Sequence, residues 1–293
     1  MEVYLPRSLD EALAQKAEHP EAVPIAGGTD LMVELNFDRR RPEAMIDLCR
    51  LPELQTWSVD GDEVRLGSGV TYGRIMRELP GFRPLSEASR SVGSPQIRNR
   101  GTVGGNLGTA SPAGDALPVL AAYDADVDVI SAARGIRTLP WRDFLVGVKR
   151  NALEPDELIL AARWRRTRGP GSYSKIGTRN AMVISMAGLC LVVDEPTRSV
   201  RVALGSVAPT IVRAPEAEAF VSDALGEAGL WEDPHASVAD TAAERFAELV
   251  AASATPIDDV RGTAAYRRHA CRVLARRALS WALDDRRSAP DAA

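Results

Sequence analysis

The chain has 293 residues, of which 45% are apolar and 26% charged, the composition of a globular protein long enough for two domains. Its net charge of −4 argues against a general nucleic-acid-binding protein, and no stretch of the sequence approaches the ~20 apolar residues that a membrane span needs. The amino-terminal residues show no secretory signal, so we expect a cytoplasmic protein.

The cysteines and histidines predict no metal site on this chain. Cys49, Cys190 and Cys271 are far apart in the sequence, which excludes a C-x-x-C motif and a disulfide framework. We expect buried free thiols, since free cysteine is among the most buried residue types. The three histidines have no ligand spacing, and no Ser/His/Asp set or pair of glycosidase-like carboxylates predicts catalysis by side chains.

The first predicted elements lead into a glycine-rich loop. Ser8 and Glu11 form a capping box that opens a helix ending near His19. The apolar segment 23–25 predicts a strand, which runs directly into the sequence Ile-Ala-Gly-Gly-Thr-Asp-Leu at 25–31. Because a strand that feeds a Gly-Gly turn directs free amides outward, we expect this loop to hold a ligand.

Strands and short helices alternate after this loop. The predicted elements are a strand at 44–48, a hairpin at 57–66 turning at Asp60-Gly61, and helices at 71–79 and 86–92.

The stretch 98–115 is the second glycine-rich segment. It contains too many glycines for a helix and too few large apolar residues for a core strand, so we predict a loop. Gly104 and Gly105 allow a positive φ and expose bare amides to a ligand. Hydroxyl and amide side chains add hydrogen-bonding groups, which suits a polar ligand that carries phosphate. A surface loop without a ligand is the alternative. Neither segment has the spacing of a Rossmann fingerprint or a P-loop.

The remaining elements predict a boundary followed by a small α+β domain. Before the boundary we predict a helix at 117–123, a strand at 126–130, a turn and short helix at 138–144, and a strand at 157–163. The basic, Gly/Pro-rich segment 165–171 marks the boundary. After it come strands at 173–176, 183–194 and 200–207, and helices at 242–252 and 266–281.

Six segments in this order resemble the FAD-binding medium subunit of the molybdenum hydroxylases, the xanthine dehydrogenase and carbon monoxide dehydrogenase group. They are 26–31, 102–106, 110–115, 173–179, 205–214 and 259–268. The resemblance covers nearly the whole chain. It implies an α+β fold, in which a FAD-binding domain of the vanillyl-alcohol oxidase and p-cresol methylhydroxylase type precedes a small C-terminal α+β domain.

The resemblance also sets the predicted domain limits. The FAD-binding domain is expected over 1–171, with two α/β subdomains at about 1–55 and 56–171. The C-terminal domain, a three-stranded sheet plus helices, is expected over 172–284, and a frayed tail over 285–293.

The resemblance implies that this chain holds FAD without a covalent bond. The candidate cofactor-binding residues are Ile25, Ala26, Gly27, Gly28, Thr29, Asp30, Leu31, Thr102, Gly104, Gly105, Asn106, Ser111, Asp115, Ile159 and Lys175. We expect the amides of Thr29 and of both Gly-Gly pairs to bind the pyrophosphate, and Asn106 and Asp115 to bind ribityl or ribose hydroxyls.

The resemblance places Lys175 at the flavin and Ile159 over its ring. Three alternatives stay open: Asp30 as a turn residue, Asp115 as a helix N-cap, and Lys175 as a solvated strand lysine. Ile159 on sequence alone is a core strand residue.

The implied function is electron transfer within a complex. A large subunit would hold molybdenum-pterin and hydroxylate the substrate, and a small subunit would hold two [2Fe–2S] clusters, for which this chain lacks cysteine ligands. This chain would pass electrons through FAD to NAD⁺, oxygen or a quinone. The expected substrate is a purine, another N-heterocycle or an aldehyde, as in xanthine dehydrogenase. The alternatives are a stand-alone FAD-dependent oxidase or dehydrogenase and a non-catalytic assembly or nucleotide-sensing module.

Overall fold

The computed structural model describes residues 1–288. Its helices are α1 (Leu9–Glu18), α2 (Leu31–Asn36), α3 (Tyr72–Glu78), α4 (Arg83–Ser91), α5 (Pro95–Arg100), α6 (Val103–Thr109), α7 (Ala116–Ala122), α8 (Trp141–Phe144), α9 (Pro215–Glu227), α10 (Asp240–Ala252) and α11 (Ala264–Ser288). Its strands are β1 (Glu2–Tyr4), β2 (Val23–Ile25), β3 (Ala44–Asp47), β4 (Trp57–Asp60), β5 (Glu63–Gly67), β6 (Asp126–Ser131), β7 (Gly135–Pro140), β8 (Leu145–Gly147), β9 (Arg150–Asn151), β10 (Leu158–Arg165), β11 (Gly171–Ile176), β12 (Ala187–Asp194), β13 (Ser199–Gly205) and β14 (Val212–Arg213).

The chain divides into two compact units. The first unit consists of Met1–Pro80, Val92–Ser111 and Asp124–Arg165. The second consists of Gly81–Ser91, Pro112–Tyr123 and the chain from Arg166 onward. Two helices from the first half of the sequence, α4 and α7, therefore belong to the second unit. The predicted limits of the FAD-binding domain and the C-terminal domain remain predictions.

A parallel sheet in the first unit positions the first glycine-rich loop. Its strand order is β1-β3-β2, so β2 is an edge strand and the loop follows its carboxyl end. The helix α1 covers this sheet and begins as predicted, because the Ser8 hydroxyl accepts a hydrogen bond from the amide of Glu11. Ala12 and Leu13 of α1 and Ile46 of β3 belong to one buried core cluster.

The second sheet of this unit is antiparallel, with the order β4-β5-β10-β6-β7. The first five residues of its central strand β10, 158–162, are an apolar run that is buried on both faces, which agrees with the predicted strand at 157–163. The pairing of β10 with β6 shifts between Ile159 and Ala161. The edge strand β7 was not predicted, because its residues are largely exposed and Pro140 ends it.

The second unit contains an antiparallel sheet with the order β11-β12-β13-β14. Every residue of β12 is buried, and Leu189, Leu191 and Val193 pack with α9, α10 and α11 in one core. The prediction of three strands missed β14, which has only two residues, and it started the second strand at 183 instead of Ala187. It also missed α9, which buries only Ala217, Val221 and Leu225 and so shows a weak apolar stripe.

The carboxyl-terminal helix α11 extends further than predicted. Residues 285–288, assigned to a frayed tail, belong to this helix, and residues 289–293 lie outside the described part of the chain. Between residues 1 and 288, no helix combines the length and the apolar character needed to cross a bilayer.

Candidate functional site

The first glycine-rich loop, residues 25–31, connects β2 to α2. Gly28 has a φ of 72°, in the left-handed region that glycine adopts without strain. Gly27 has no room for a side chain, because a Cβ atom there would overlap the carbonyl oxygen of Arg100 and lie 2.5 Å from its carbonyl carbon. The two glycines therefore have different roles: Gly28 forms the turn and Gly27 permits close packing of the loop against α5.

The amides of this loop are available to a ligand. Within residues 1–288, the N–H groups of Gly27, Gly28 and Thr29 donate no hydrogen bond to any atom of the chain. These residues are half-buried. Three successive free N–H groups ahead of a helix suit an anionic group.

Asp30 stands at the N-cap of α2, and its exposed side chain makes no capping hydrogen bond. An Asp next to a bound anion is expected to bond either the loop amides or a ribose hydroxyl; in the described residues the Asp30 carboxylate bonds none of the loop amides, so a ribose hydroxyl stays the prediction. Leu31 begins α2 and is half-buried.

The second glycine-rich segment is mostly helical, which corrects the prediction of a loop. Residues 103–109 form α6, and neither Gly104 nor Gly105 has a positive φ. The amide of Gly104 donates to the Ser68 carbonyl at 2.9 Å, and that of Gly105 to the Thr102 hydroxyl at 2.9 Å. These two amides are therefore not free to bind pyrophosphate as predicted. The helix tolerates its glycines because they allow close tertiary packing, which outweighs their low helix propensity.

Gly104 shows this packing directly. A Cβ atom there would lie 2.5 Å from the Cβ and 2.6 Å from the carbonyl oxygen of Ser68. Asn106 lies on the same helix, and Ser111 follows Ala110, which ends the helix in the left-handed conformation with a φ of 47°. Thr102 caps the start of α6, since its hydroxyl accepts from the Gly105 amide. Asn106 and Ser111 remain candidate ligands.

Ile159 packs against α6. A Cβ atom on Gly108 would lie 3.7 Å from the Ile159 Cδ1 atom, an ordinary van der Waals distance. The side chain is buried in β10 beside the irregular pairing with β6. Its predicted core character is confirmed, and contact with a flavin ring stays a prediction.

Cys49 and Arg100 support the first loop and were missed as site residues by the sequence analysis. The Cys49 thiol donates to the Ala26 carbonyl at 2.6 Å, and the Arg100 guanidinium lies 3.4 Å from the same sulfur. Burial, together with the carboxylate of Asp47, raises the pKa of the Cys49 thiol to about 11, so the thiol stays protonated as a donor. No local motif signals this contact, since the residues are 23 and 51 positions apart.

The other two candidates, Asp115 and Lys175, form an ion pair inside the second unit. The Lys175 ammonium lies 2.6 Å from an Asp115 carboxylate oxygen and also donates to the carbonyls of Ser91 at 2.9 Å and Val183 at 3.1 Å. The second Asp115 oxygen accepts from the buried Tyr173 hydroxyl at 2.9 Å. All three N–H bonds of the ammonium are thus used within the chain.

This cluster settles two of the alternatives. Lys175 is not a solvated lysine, since its side chain is only 11% exposed. Asp115 occupies the N-cap position of α7 but makes no capping hydrogen bond with its side chain. Both side chains satisfy each other, so neither offers an unpaired group to a ligand in this conformation.

Two family profiles match the chain in tandem. The profile described as FAD binding domain in molybdopterin dehydrogenase matches residues 1–163, and the profile described as CO dehydrogenase flavoprotein C-terminal domain matches residues 172–282. Together they account for nearly all described residues.

Individual relatives agree with the profiles. The nicotinate dehydrogenase FAD-subunit of Eubacterium barkeri is 36% identical over 207 residues, covering 66% of this chain and 69% of the relative. The nicotine 6-hydroxylase medium subunit of Paenarthrobacter nicotinovorans is 31% identical and 94% of each chain is covered. The solved carbon monoxide dehydrogenase from Hydrogenophaga pseudoflava superimposes with a TM-score of 0.84 at 28% identity, covering 98% of each chain. These likenesses confirm the predicted fold class and the predicted resemblance.

Proposed function

We propose, because this chain belongs to the FAD-subunit family of the molybdenum hydroxylases, that it passes electrons through FAD from [2Fe–2S] clusters on a partner chain to NAD⁺ or another acceptor. FAD, when bound, supplies a redox group that accepts two electrons and releases them one or two at a time. The protein residues bind and orient it.

One observation of the structure supports FAD binding most directly: the three free amides at Gly27, Gly28 and Thr29. A pyrophosphate carries two negative charges, and backbone donors neutralise it without a cationic side chain. The supporting groups keep this geometry, since Cys49 holds the Ala26 carbonyl and Arg100 packs against Gly27.

The structure supports the remaining candidate residues to different degrees. Asn106 and Ser111 are proposed to bind ribityl or ribose hydroxyls, and Ile159 to cover an apolar part of the ligand. Asp115 and Lys175 are retained on the resemblance alone, because their charged groups are already paired.

The proposed substrate class is an N-heterocycle, with purines included and aldehydes as the alternative. Two of the relatives are a nicotinate dehydrogenase and a nicotine 6-hydroxylase, whose names give nitrogen heterocycles, whereas another is a carbon monoxide dehydrogenase. We propose that the substrate pocket lies on a large molybdenum-pterin subunit and that a small iron–sulfur subunit connects it to this chain.

The test is to purify the native complex and to measure flavin, iron and molybdenum in each separated chain. We expect FAD on this chain, and iron and molybdenum on its partners. In anaerobic mixing, an N-heterocyclic substrate should reduce the flavin of the complex but not the flavin of this chain alone.

Two results would contradict the proposal. Reduction of the flavin on the isolated chain by an organic substrate would favour a stand-alone flavin enzyme. A complex that contains iron and molybdenum but no FAD on this chain would favour a non-catalytic assembly role.

A further inference from the structure

A polar cleft of about 550 Å³ is lined only by residues of the second unit, and none of the lining residues was considered above as a FAD ligand. It is formed by the start of α4, the segment that joins β10 to β11, and the end of α11. Three arginines line it: Arg83, Arg166 and Arg286. Its size is within the range of small-molecule sites, about 300–1,000 Å³.

Arg286 is a buried cation held at the wall of the cleft. Its side chain is 8% exposed, its guanidinium lies 5.7 Å from the ring centre of Trp231, and its Nε donates to Glu195 at 2.9 Å. The Nη1 atom donates to the Leu230 carbonyl. In residues 1–288 the Nη2 atom has no hydrogen-bond acceptor, so a buried guanidinium keeps two donors unused.

Arg83 has a similar arrangement across the cleft. Its Nε donates to Glu87 at 2.8 Å, and its Nη1 donates to Asp285, the neighbour of Arg286 in α11. No acceptor within the described chain contacts its Nη2 atom. Because Asp285 ties Arg83 to α11, two guanidinium groups with spare donors line one cavity.

Arg166 supplies a flat surface. Its guanidinium lies 6.0 Å from the ring centre of Phe82, and no carboxylate among residues 1–288 forms an ion pair with it. The cleft thus contains three arginines and two acids, Glu195 and Asp285, and so carries a net positive charge. A cation stacked near an aromatic ring is a surface on which a planar ring can lie.

We propose that this cleft binds a ligand of the nucleotide class, a planar aromatic base that carries a phosphate. The spare donors of Arg83 and Arg286 suit phosphate oxygens, since guanidinium groups bind phosphate through parallel, charge-assisted hydrogen bonds. Phe82 and Arg166 suit the base, and the volume exceeds what inorganic phosphate alone would fill. It shares no lining residue with the proposed FAD ligands, and the inference does not depend on the proposed function.

The experiment measures binding of AMP to the purified, FAD-loaded complex by titration calorimetry. Adenosine and inorganic phosphate are titrated in parallel. We expect saturable binding of one AMP per copy of this chain, with adenosine and phosphate each at least about tenfold weaker, because each lacks one half of the recognised chemistry.

The variants are Arg166→Ala, which removes an exposed side chain, and Arg286→Gln, which removes a buried charge. The matched control is Arg277→Ala, an exposed arginine on α11 that does not line the cleft. We expect AMP binding to weaken several-fold in Arg166→Ala and about tenfold or more in Arg286→Gln, and to stay unchanged in the control. The FAD content should be equal in all proteins.

Three outcomes would overturn the proposal: no binding of AMP, equal binding in Arg166→Ala and the control, or phosphate binding as tightly as AMP. The first excludes the ligand class, the second places AMP elsewhere, and the third removes the role of the base. If Arg286→Gln fails to fold, Arg166→Ala still decides, because it changes only an exposed side chain.

Discussion

Gly27 lies so close to the carbonyl group of Arg100 that no other residue fits at its position. A Cβ atom on Gly27 would overlap the Arg100 oxygen and lie 2.9 Å from the Gly101 α-carbon. These contacts are with backbone atoms, which a rotamer change cannot move aside. Close packing therefore sets the position of the free amides in the first loop.

Replacing Gly27 by alanine should abolish FAD binding. The added methyl group forces the loop away from α5, which costs about 1–3 kcal/mol as overpacking and displaces the donors at Gly28 and Thr29. The measurement is flavin content after purification together with the midpoint of urea unfolding.

Gly81→Ala is the matched control for this change. Gly81 has no atom within 4 Å of an added Cβ and no positive φ, so that variant should keep its flavin and its stability. Full flavin content in Gly27→Ala would show that the loop does not set the amide positions.

The three glycines of α6 should differ in their response to alanine. At Gly104 an added Cβ would lie within 3.0 Å of backbone atoms of Ser68. At Gly105 it would lie 3.2 Å from the Thr102 hydroxyl, and at Gly108 it would lie 3.7 Å from the Ile159 side chain. We expect the loss of unfolding free energy to be largest at Gly104, about 1–3 kcal/mol, and smaller at Gly105.

Gly108→Ala should be neutral or stabilising by about 0.5–1 kcal/mol, because alanine has the higher helix propensity. Urea unfolding of the three variants gives the order. Equal destabilisation at all three positions would mean that helix α6 is not formed in solution.

Substitutions of Lys175 and Asp115 should have non-additive effects on the free energy of unfolding. Lys175→Met leaves a buried carboxylate, and Asp115→Asn leaves a buried ammonium, so each should cost about 3–5 kcal/mol. The double variant should cost less than the sum of the two. A double-mutant cycle by urea unfolding measures this coupling.

The control for that cycle is Lys149→Met, which breaks the exposed pair with Glu34 and should cost about 1 kcal/mol or less. If Lys175→Met costs no more than Lys149→Met, the interaction in the second unit is solvated and not buried.

Asp259 should make the protein less stable in acid. Burial raises the pKa of this carboxyl group, but hydrogen bonds from the Arg261 amide and from the Arg261 and Arg267 side chains outweigh it, so the pKa falls below its usual 3.8. Because the pKa of Asp259 is lower in the folded than in the unfolded protein, its ionised carboxylate stabilises the fold fully above pH 3.8. This stabilisation is lost as the pH falls below 3.8 and through the folded-state pKa.

The measurement is urea unfolding between pH 7 and pH 2 for the natural protein and Asp259→Asn. The variant should be less stable at neutral pH and should lose less stability on acidification. Asp240→Asn is the control, because that side chain is 96% exposed. Parallel pH curves for all three proteins would contradict the role assigned to Asp259.

The three cysteines should react slowly with thiol reagents in the folded protein. Burial raises the pKa of Cys271 to about 12 and places that of Cys190 well above its usual value, while Cys49 has a pKa of about 11. At pH 8 few of these groups are thiolates, and the thiolate is the reactive form. Labelling before and after denaturation should therefore change from near zero to three thiols, and fast native labelling would contradict the packing at these positions.

The sequence was informative where a short segment determines its own conformation. The helix start capped by Ser8, the hairpin turning at Gly61 and the buried run of β10 were predicted and confirmed, because caps, turns and apolar periods depend on neighbours a few residues away. The Glu11 side chain accepts from the Arg7 amide, and the reciprocal bond of a capping box to the Ser8 amide is not seen among the described residues. The glycines of α6 misled the same reasoning. Their low helix propensity is a local property, whereas their contact with Ser68, 36 positions earlier, is not.

By itself, the sequence determined the family resemblance and the order of the two matched regions, and it predicted the first glycine loop as a place for an anionic ligand. Only the tertiary structure decided which amides are free, since those of Gly104 and Gly105 have acceptors within the fold, whereas those of Gly27 and Gly28 have none in the part of the chain that the structure describes. It also decided that Lys175 is paired. Hydrogen-bond satisfaction depends on atoms brought together from distant parts of the chain, and no spacing along a sequence records it.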